Sequence, residues 1–381
     1  MYSVLGHGDM IADDIRTGAY EQALRAAVKP GSVVVDLGTG MGVFAILAVR
    51  YGARAVYAIE SSEMIEVARA IAAANGCAGC IEFIHAASTG VELPERADVV
   101  VCDLRGVLPY FHNHVASIVD ARERFLAPGG TFIPARDTVW AACVSAPELH
   151  RTVTSPWLDN RFGLDMSAAH ALAANQWRRA TVRGDQVAST SAQVGIVDYA
   201  TVRSPNVDAT LALEALRQCD AHGICAWFDS ELSPAIGFSN APGGPALIYG
   251  NAFFPWPQAV ALEGGDRIDL RLRARQMHGD YLWTWETRIR RGDKRIADFQ
   301  QSDFFSEPIP LEKLQRHSAS HVAELGDEGR VDAAILSLMD GSLALGDIAR
   351  RVSDRFPTRF PRWEDALARV AELSARYGRA S

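Results

Sequence analysis

Val33-Val34-Val35-Asp36-Leu37-Gly38-Thr39-Gly40-Met41-Gly42 is an apolar run that ends in an acid and breaks into three glycines at alternate positions. Three β-branched residues in a row predict a buried strand over 33–37. The glycines let the chain turn sharply and leave bare backbone for a ligand to lie against. A helix predicted from Val43 to Tyr51 then starts with its N-terminus towards that ligand. A dinucleotide fingerprint would place its third glycine at position 43, where this chain has valine, so the spacing fits S-adenosylmethionine better. Glu60 ends the next predicted strand, from Ala55, where a carboxylate can accept both ribose hydroxyls. Asp36, Gly38, Gly40 and Glu60 are therefore expected in a cofactor cradle, and methyl transfer is the leading chemistry.

At 381 residues the chain is long enough for two or three domains. Its net charge of -8 disfavours a general nucleic-acid binder, which needs a basic face. No apolar run is long enough for a membrane span, and the opening Met1-Tyr2-Ser3-Val4-Leu5-Gly6-His7 lacks a signal pattern, so neither membrane nor nucleic-acid partners are expected and a cytoplasmic location is. The six cysteines are scattered through apolar segments, as reduced core thiols would be. Cys77 and Cys80 form one close pair without a second pair or a histidine cluster, so no metal is expected.

Strand and helix patterns alternate from Gly31 to Pro134, with strands predicted at 33–37, 55–60, 81–85, 98–102 and 131–133. This is the pattern of an α/β domain with a doubly wound parallel sheet, whose ligand sits at the carboxyl ends of the strands, where Gly38, Glu60 and Asp103 fall. A helix from about Asn113 to Phe125 is expected to stop before Pro128-Gly129-Gly130. From 135 to 310 short alternating strands predict an antiparallel, barrel-like β domain, and from 311 to 381 apolar residues at helical spacing predict a small helical domain.

The chain resembles the protein arginine methyltransferase family from His7 to about Arg290. The likeness is carried by the run from His7-Gly8-Asp9-Met10 to Arg16, by Val91-Glu92-Leu93-Pro94-Glu95, Ala121-Arg122-Glu123-Arg124-Phe125-Leu126 and Gly163-Leu164-Asp165-Met166-Ser167, and by the barrel segment His222-Gly223-Ile224-Cys225-Ala226-Trp227-Phe228-Asp229. The resemblance implies that residues 1–30 form helices covering the cofactor, with His7, Met10 and Arg16 closing over it and Arg16 pairing with its carboxylate, a match for the guanidinium fork. It also implies that Ser88 and Thr89 lie beside the adenine, and that 168–193 is an arm through which two copies form a homodimer. The tail around Leu338-Met339-Asp340-Gly341 and Leu345 is weakly similar to the helical half of PqqD-like peptide-binding domains; a structural cap on the barrel is the other reading.

The departures from the family bear on the substrate. Its two guanidinium-gripping glutamates fall on Asp103 and His112, and its Thr-His-Trp loop falls on Leu247-Ile248-Tyr249. A guanidinium stays protonated at ordinary pH and needs carboxylates to make one nitrogen nucleophilic; losing one such partner costs on the order of a thousandfold in rate. The expected catalytic group is instead Asp103, Arg105, His112 and Tyr249, with Asp103 and His114 also near the methyl end of the cofactor. Arg105 could hold a substrate carboxylate or pair with a nearby acid, and His112 could act as a general base. Asp103 could instead cap a turn, the two histidines could be ordinary ones, and Tyr249 could be core. The favoured expectation is an S-adenosylmethionine-dependent methyltransferase acting on oxygen or nitrogen of a small metabolite or peptide. A protein arginine methyltransferase with a divergent site, and a cofactor-binding pseudoenzyme or interaction module, are the alternatives.

Overall fold

The computed structural model describes residues 3–308 and 310–379. Two helices come first, α1 (Val4–Ala12) and α2 (Asp14–Ala27). Each is started by a side chain that accepts from the first turn, Ser3 from the Gly6 amide and Asp13 from the Arg16 amide. The α/β layer then follows as β1 (Val33–Leu37), α3 (Val43–Arg50), β2 (Ala55–Glu60), α4 (Met64–Ala74), β3 (Ile81–His85), β4 (Ala97–Cys102), α5 (His114–Arg124) and β5 (Leu126–Ile133). The strands form a parallel sheet in the order β3-β2-β1-β4-β5, with β1 buried along its whole length. Chain order reverses on either side of β1, so the turn after β1 lies at the switch point of the sheet.

β5 begins at Leu126 rather than at 131. Ala97 pairs with Leu126 but Val99 pairs with Thr131, so Pro128-Gly129-Gly130 is absorbed as a bulge inside the strand.

The β domain contains β6 (Arg136–Val144), α6 (Pro147–Leu158), α7 (Ser167–Ala173), β7 (Arg178–Ala180), β8 (Ala192–Asp198), β9 (Val207–Glu214), β10 (Cys219–Ser233), β11 (Ile236–Ser239), β12 (Asn251–Leu262), β13 (Arg267–Met277), β14 (Asp280–Arg291) and β15 (Lys294–Ser302). They pair as two antiparallel sheets, β7-β12-β10-β6-β8 with β11 beside β10, and β15-β14-β13-β9. Trp256, Trp283 and Trp285 are fully buried between them, so these aromatic residues fill a core. Within the segment expected as an arm, 168–193, β7 and Gln193 pair into the sheet, while exposed Leu158, Phe162 and Leu164 lie just ahead of residue 168.

The chain divides after Pro308 into two compact units. The second contains α8 (Leu311–Arg316), α9 (Asp327–Ser337), α10 (Leu345–Arg355) and α11 (Trp363–Tyr377), with its own core of Val331, Ile335, Ile348, Val352, Val370 and Leu373. Among the described residues no helix is long and apolar enough to cross a membrane.

Candidate functional site

The turn after β1 is held from inside by Asp36. Its carboxylate accepts from the Thr39 hydroxyl at 2.5 Å and from the Ala45 amide at 2.9 Å, tying the glycine loop to the first turn of α3. Burial pushes this carboxyl up to about 7, although both hydrogen bonds oppose the shift. Asp36 is 1% exposed, so it shapes the cradle from behind and does not line it, contrary to expectation.

Gly38 and Gly40 both have left-handed backbones, at φ 72° and 53°. A Cβ on Gly38 would lie 2.3 Å from Leu104 Cδ2, and one on Gly40 would lie 2.8 Å from the His7 ring. The glycines thus admit Leu104 from one side and His7 from the other. Burial lowers the His7 pKa; Glu60 opposes that shift and Arg16 adds to it, so the ring is neutral at pH 7.

Glu60 completes this edge, accepting from the Gly40 amide at 3.0 Å with Oε2 and from the Ser62 amide at 2.9 Å with Oε1. Each carboxylate oxygen keeps a further lone pair, which fits the two vicinal hydroxyls of a ribose. Ser88 and Thr89 stand in a short helical turn just past β3, at the same end of the sheet. Bare glycine backbone, a half-exposed carboxylate and a covering histidine are features that suit an adenosyl group.

Beside the cradle is a cavity of about 170 Å³, with Met10, Arg16, Asp103, Arg105, Arg179 and Tyr249 in its wall. Arg16 places Nε 2.6 Å from Asp103 Oδ2, and the Tyr249 hydroxyl donates to the same oxygen at 2.6 Å. The Met10 carbonyl accepts from Arg16 and from the Thr17 hydroxyl, which fastens α1 to α2 beside the cavity. Burial alone would raise the Asp103 carboxyl, but the Arg16 and Arg105 guanidiniums and Tyr249 hold it well below the usual range. Asp103 is therefore ionised at every working pH. The structure brings Arg16, Asp103 and Tyr249 together as one hydrogen-bonded group.

Arg105 has a different place from the one expected for a substrate anchor. It is 3% exposed, and its Nε donates to Asp103 Oδ1 at 3.0 Å. One terminal nitrogen donates to Asp137 at 2.9 Å and to Ser230 at 2.6 Å, and the other to the Tyr20 hydroxyl. The rings of Tyr20, Phe228, Phe238 and Tyr249 surround it, with centroids 5.3–5.8 Å from Cζ. Four of its five N–H groups are thus spent inside the protein, which leaves no two-bond fork for a substrate carboxylate. It fastens α2 and the end of β4 to β6 and β10.

His114 belongs behind that fastener and not in the cradle. Tyr199 donates to Asp137 at 2.5 Å, so His114 Nε2, 2.8 Å from the Tyr199 oxygen, is the donor in that contact. Burial, with Arg105 adding to it, lowers the His114 pKa to about 3, so the ring is neutral. His112 has φ 43°, is exposed, and sets Nδ1 3.5 Å from Asp280 across the β13–β14 hairpin. It is outside the cavity wall, and Gln276 holds its carbonyl at 2.7 Å. No second acid joins Asp103 in that wall from position 112. Asp137 and Arg179 were not singled out from the sequence: each acquires its place through pairing distant in the chain, Asp137 across β6 and Arg179 on the short edge strand β7.

Residues 17–135 match the family model for ribosomal protein L11 methyltransferase, and residues 135–288 match that for the arginine methyltransferase oligomerization subdomain. A probable protein arginine N-methyltransferase 6 of Arabidopsis thaliana is 30% identical over 236 residues, which is 60% of this chain and 54% of that protein. A probable protein arginine N-methyltransferase 6.1 of Oryza sativa subsp. indica is 29% identical over 254 residues, 64% of this chain and 65% of that one. The chain thus spans between about half and two thirds of these relatives. Among solved structures, protein arginine methyltransferase 10 of Arabidopsis thaliana superposes with a TM-score of 0.69 at 21% identity, covering 79% of this chain and 97% of that one. The Trypanosoma brucei PRMT1 enzyme-prozyme complex with AdoHcy gives 0.70 at 21% identity, covering 78% and 96%. At this identity the structural likeness is one of fold.

Proposed function

We propose that this chain, an arginine-methyltransferase-like protein, binds S-adenosylmethionine in the glycine cradle and transfers its methyl group to an acceptor on a protein or peptide. The observation that carries the reading is the meeting of two features at one sheet edge: the cradle of Gly38, Gly40 and Glu60, and the ionised Asp103 held by Arg16 and Tyr249. When bound, the cofactor supplies an electrophilic methyl on a sulfonium sulfur, which an acceptor lone pair attacks as the carbon–sulfur bond breaks with its electron pair remaining on sulfur.

The chain's own residues do the positioning. Glu60 orients the ribose, and Arg16, already beside the cavity, takes the carboxylate of the cofactor's amino-acid end. Asp103 stays charged throughout and attracts a cationic or hydrogen-bearing acceptor to the methyl. The names of the relatives support a protein arginine nitrogen over the small metabolite expected from the sequence. A second reading has one observation in its favour: His112 faces Asp280 outside the cavity, so an acceptor that needs no second carboxylate, such as a peptide carboxylate or amine, also suits the site. The match to an oligomerization subdomain, with the exposed Leu158, Phe162 and Leu164, supports a homodimer.

The test is transfer of labelled methyl from S-adenosylmethionine in a host lysate, with protein, peptide and small-molecule fractions read by mass and Asp103→Asn as the control. Label on arginine establishes the first reading, and base-labile label on a carboxylate the second. Absence of label from every fraction, with AdoHcy still bound, would refute methyl transfer.

A further inference from the structure

We propose that Arg179 is the specificity determinant for a carboxylate carried by the acceptor. The cavity wall contains three arginines and two aspartates: Arg16, Arg105 and Arg179 against Asp9 and Asp103. Arg105 is committed to Asp103 and Asp137, and Arg16, besides its pairing with Asp103, is the residue assigned to the cofactor's own carboxylate. Arg179 has no hydrogen-bond or ion-pair partner among the described residues, so it is the unspent cation of this wall.

Its position is built. β7 pairs with β12 in fixed register, Arg179 opposite Ala252 and Ala180 opposite Asn251. A Cβ on Gly250 would lie 3.1 Å from both Cγ and Nε of Arg179. The arginine stem therefore lies against the glycine that follows Tyr249, which has φ 62°. This puts a planar fork on the wall of the cavity that Tyr249 and Asp103 also line, where a carboxylate can be held by two parallel bonds.

The inference rests on the methyl-transfer reading only for the word acceptor; the recognition of a carboxylate can be measured without turnover. The AdoHcy-loaded full chain is titrated with N-acetylglycine against N-acetylglycinamide, and with N-acetylglutamate α-amide against N-acetylglutamine amide, by saturation-transfer NMR. Wild type should prefer at least one carboxylate about tenfold over its neutral twin. Arg179→Gln should erase the preference while leaving AdoHcy affinity unchanged, and Arg179→Lys should keep part of it. Preference for the first pair identifies a chain terminus, and preference for the second an acidic side chain. Equal binding of carboxylate and amide by wild type, or an undiminished preference in Arg179→Gln, overturns the proposal. A preference that follows Arg179, in a protein that labels no acceptor, upholds it and refutes the methyl-transfer reading instead.

Discussion

Replacing Arg105 with methionine should unfold the larger unit well before it does anything to substrate recognition. The substitution removes the partner of three buried groups. Asp103 retains Arg16 and Tyr249, so the loss falls on Asp137, which is 0% exposed and left with the hydroxyls of Tyr199 and Ser230 but no cation. Stripping one partner from a buried ion pair costs about 3–5 kcal/mol, a large part of a typical folding free energy. For a unit of this size that is a fall of roughly 5–8 °C in Tm.

The pH dependence has a definite sign. Burial already raises the Asp137 carboxyl, against the pull of Arg105, and without Arg105 it must rise further. A folded-state acid with a raised pKa takes up a proton as pH falls, so the deficit is full above that pKa and shrinks on acidification. Thermal unfolding of wild type, Arg105→Met and Arg105→Met/Asp137→Leu at pH 8 and pH 5.5 reads this directly. The single variant should be weakest at pH 8, and the double variant should recover much of the loss, because an apolar pair of similar volume replaces the charges. A Tm for Arg105→Met within 2 °C of wild type at pH 8, or a deficit that grows on acidification, would refute the role as a fastener.

Glu60→Gln should weaken AdoHcy binding by about 10–100-fold, since a charged acceptor bond is worth about 1.5–3 kcal/mol; calorimetry checks this, and a loss under threefold would remove Glu60 from the cradle. Asp36, at about 7 in the folded protein and near 3.9 unfolded, stabilises the fold below pH 3.9 and loses that contribution as pH rises through 7. Denaturant titrations of wild type and Asp36→Asn should therefore shift by about 2–3 kcal/mol in the variant's favour between pH 5 and pH 8, and parallel pH profiles would contradict it. Phe162, 67% exposed, should be covered in a homodimer, so Phe162→Asp should sediment as a monomer where wild type sediments as a dimer; identical profiles would place the interface elsewhere.

The cradle was legible because its signals are local. Val33 to Gly42 states strand and turn within ten residues, and Glu60 follows one helix later. The sequence does not say which side of the turn Asp36 occupies; its bonds from Thr39 and Ala45 decide it. Arg105 was harder still. Its partners Asp137 and Ser230 lie 32 and 125 residues away, so only the joining of two sheets reveals that the guanidinium is held from inside. His112 shares the position of an expected acid, but its left-handed backbone and the β13–β14 hairpin turn it aside. Arg179 sits on a three-residue strand with no periodicity of its own, and gains meaning from the glycine beneath it.

The first helix has no buried residue, although His7 lies over Gly40 and Gly6, Asp9 and Met10 belong to the cavity wall. Lifting it would uncover no core, so its opening lies at the low end of the molecule's local stabilities. What holds it down is the pair of bonds from Arg16 and Thr17 to the Met10 carbonyl, to which a ligand beneath it would add. Amide protection along residues 4–12 thereby becomes a gauge of occupancy that is separate from the folding of the five-stranded sheet.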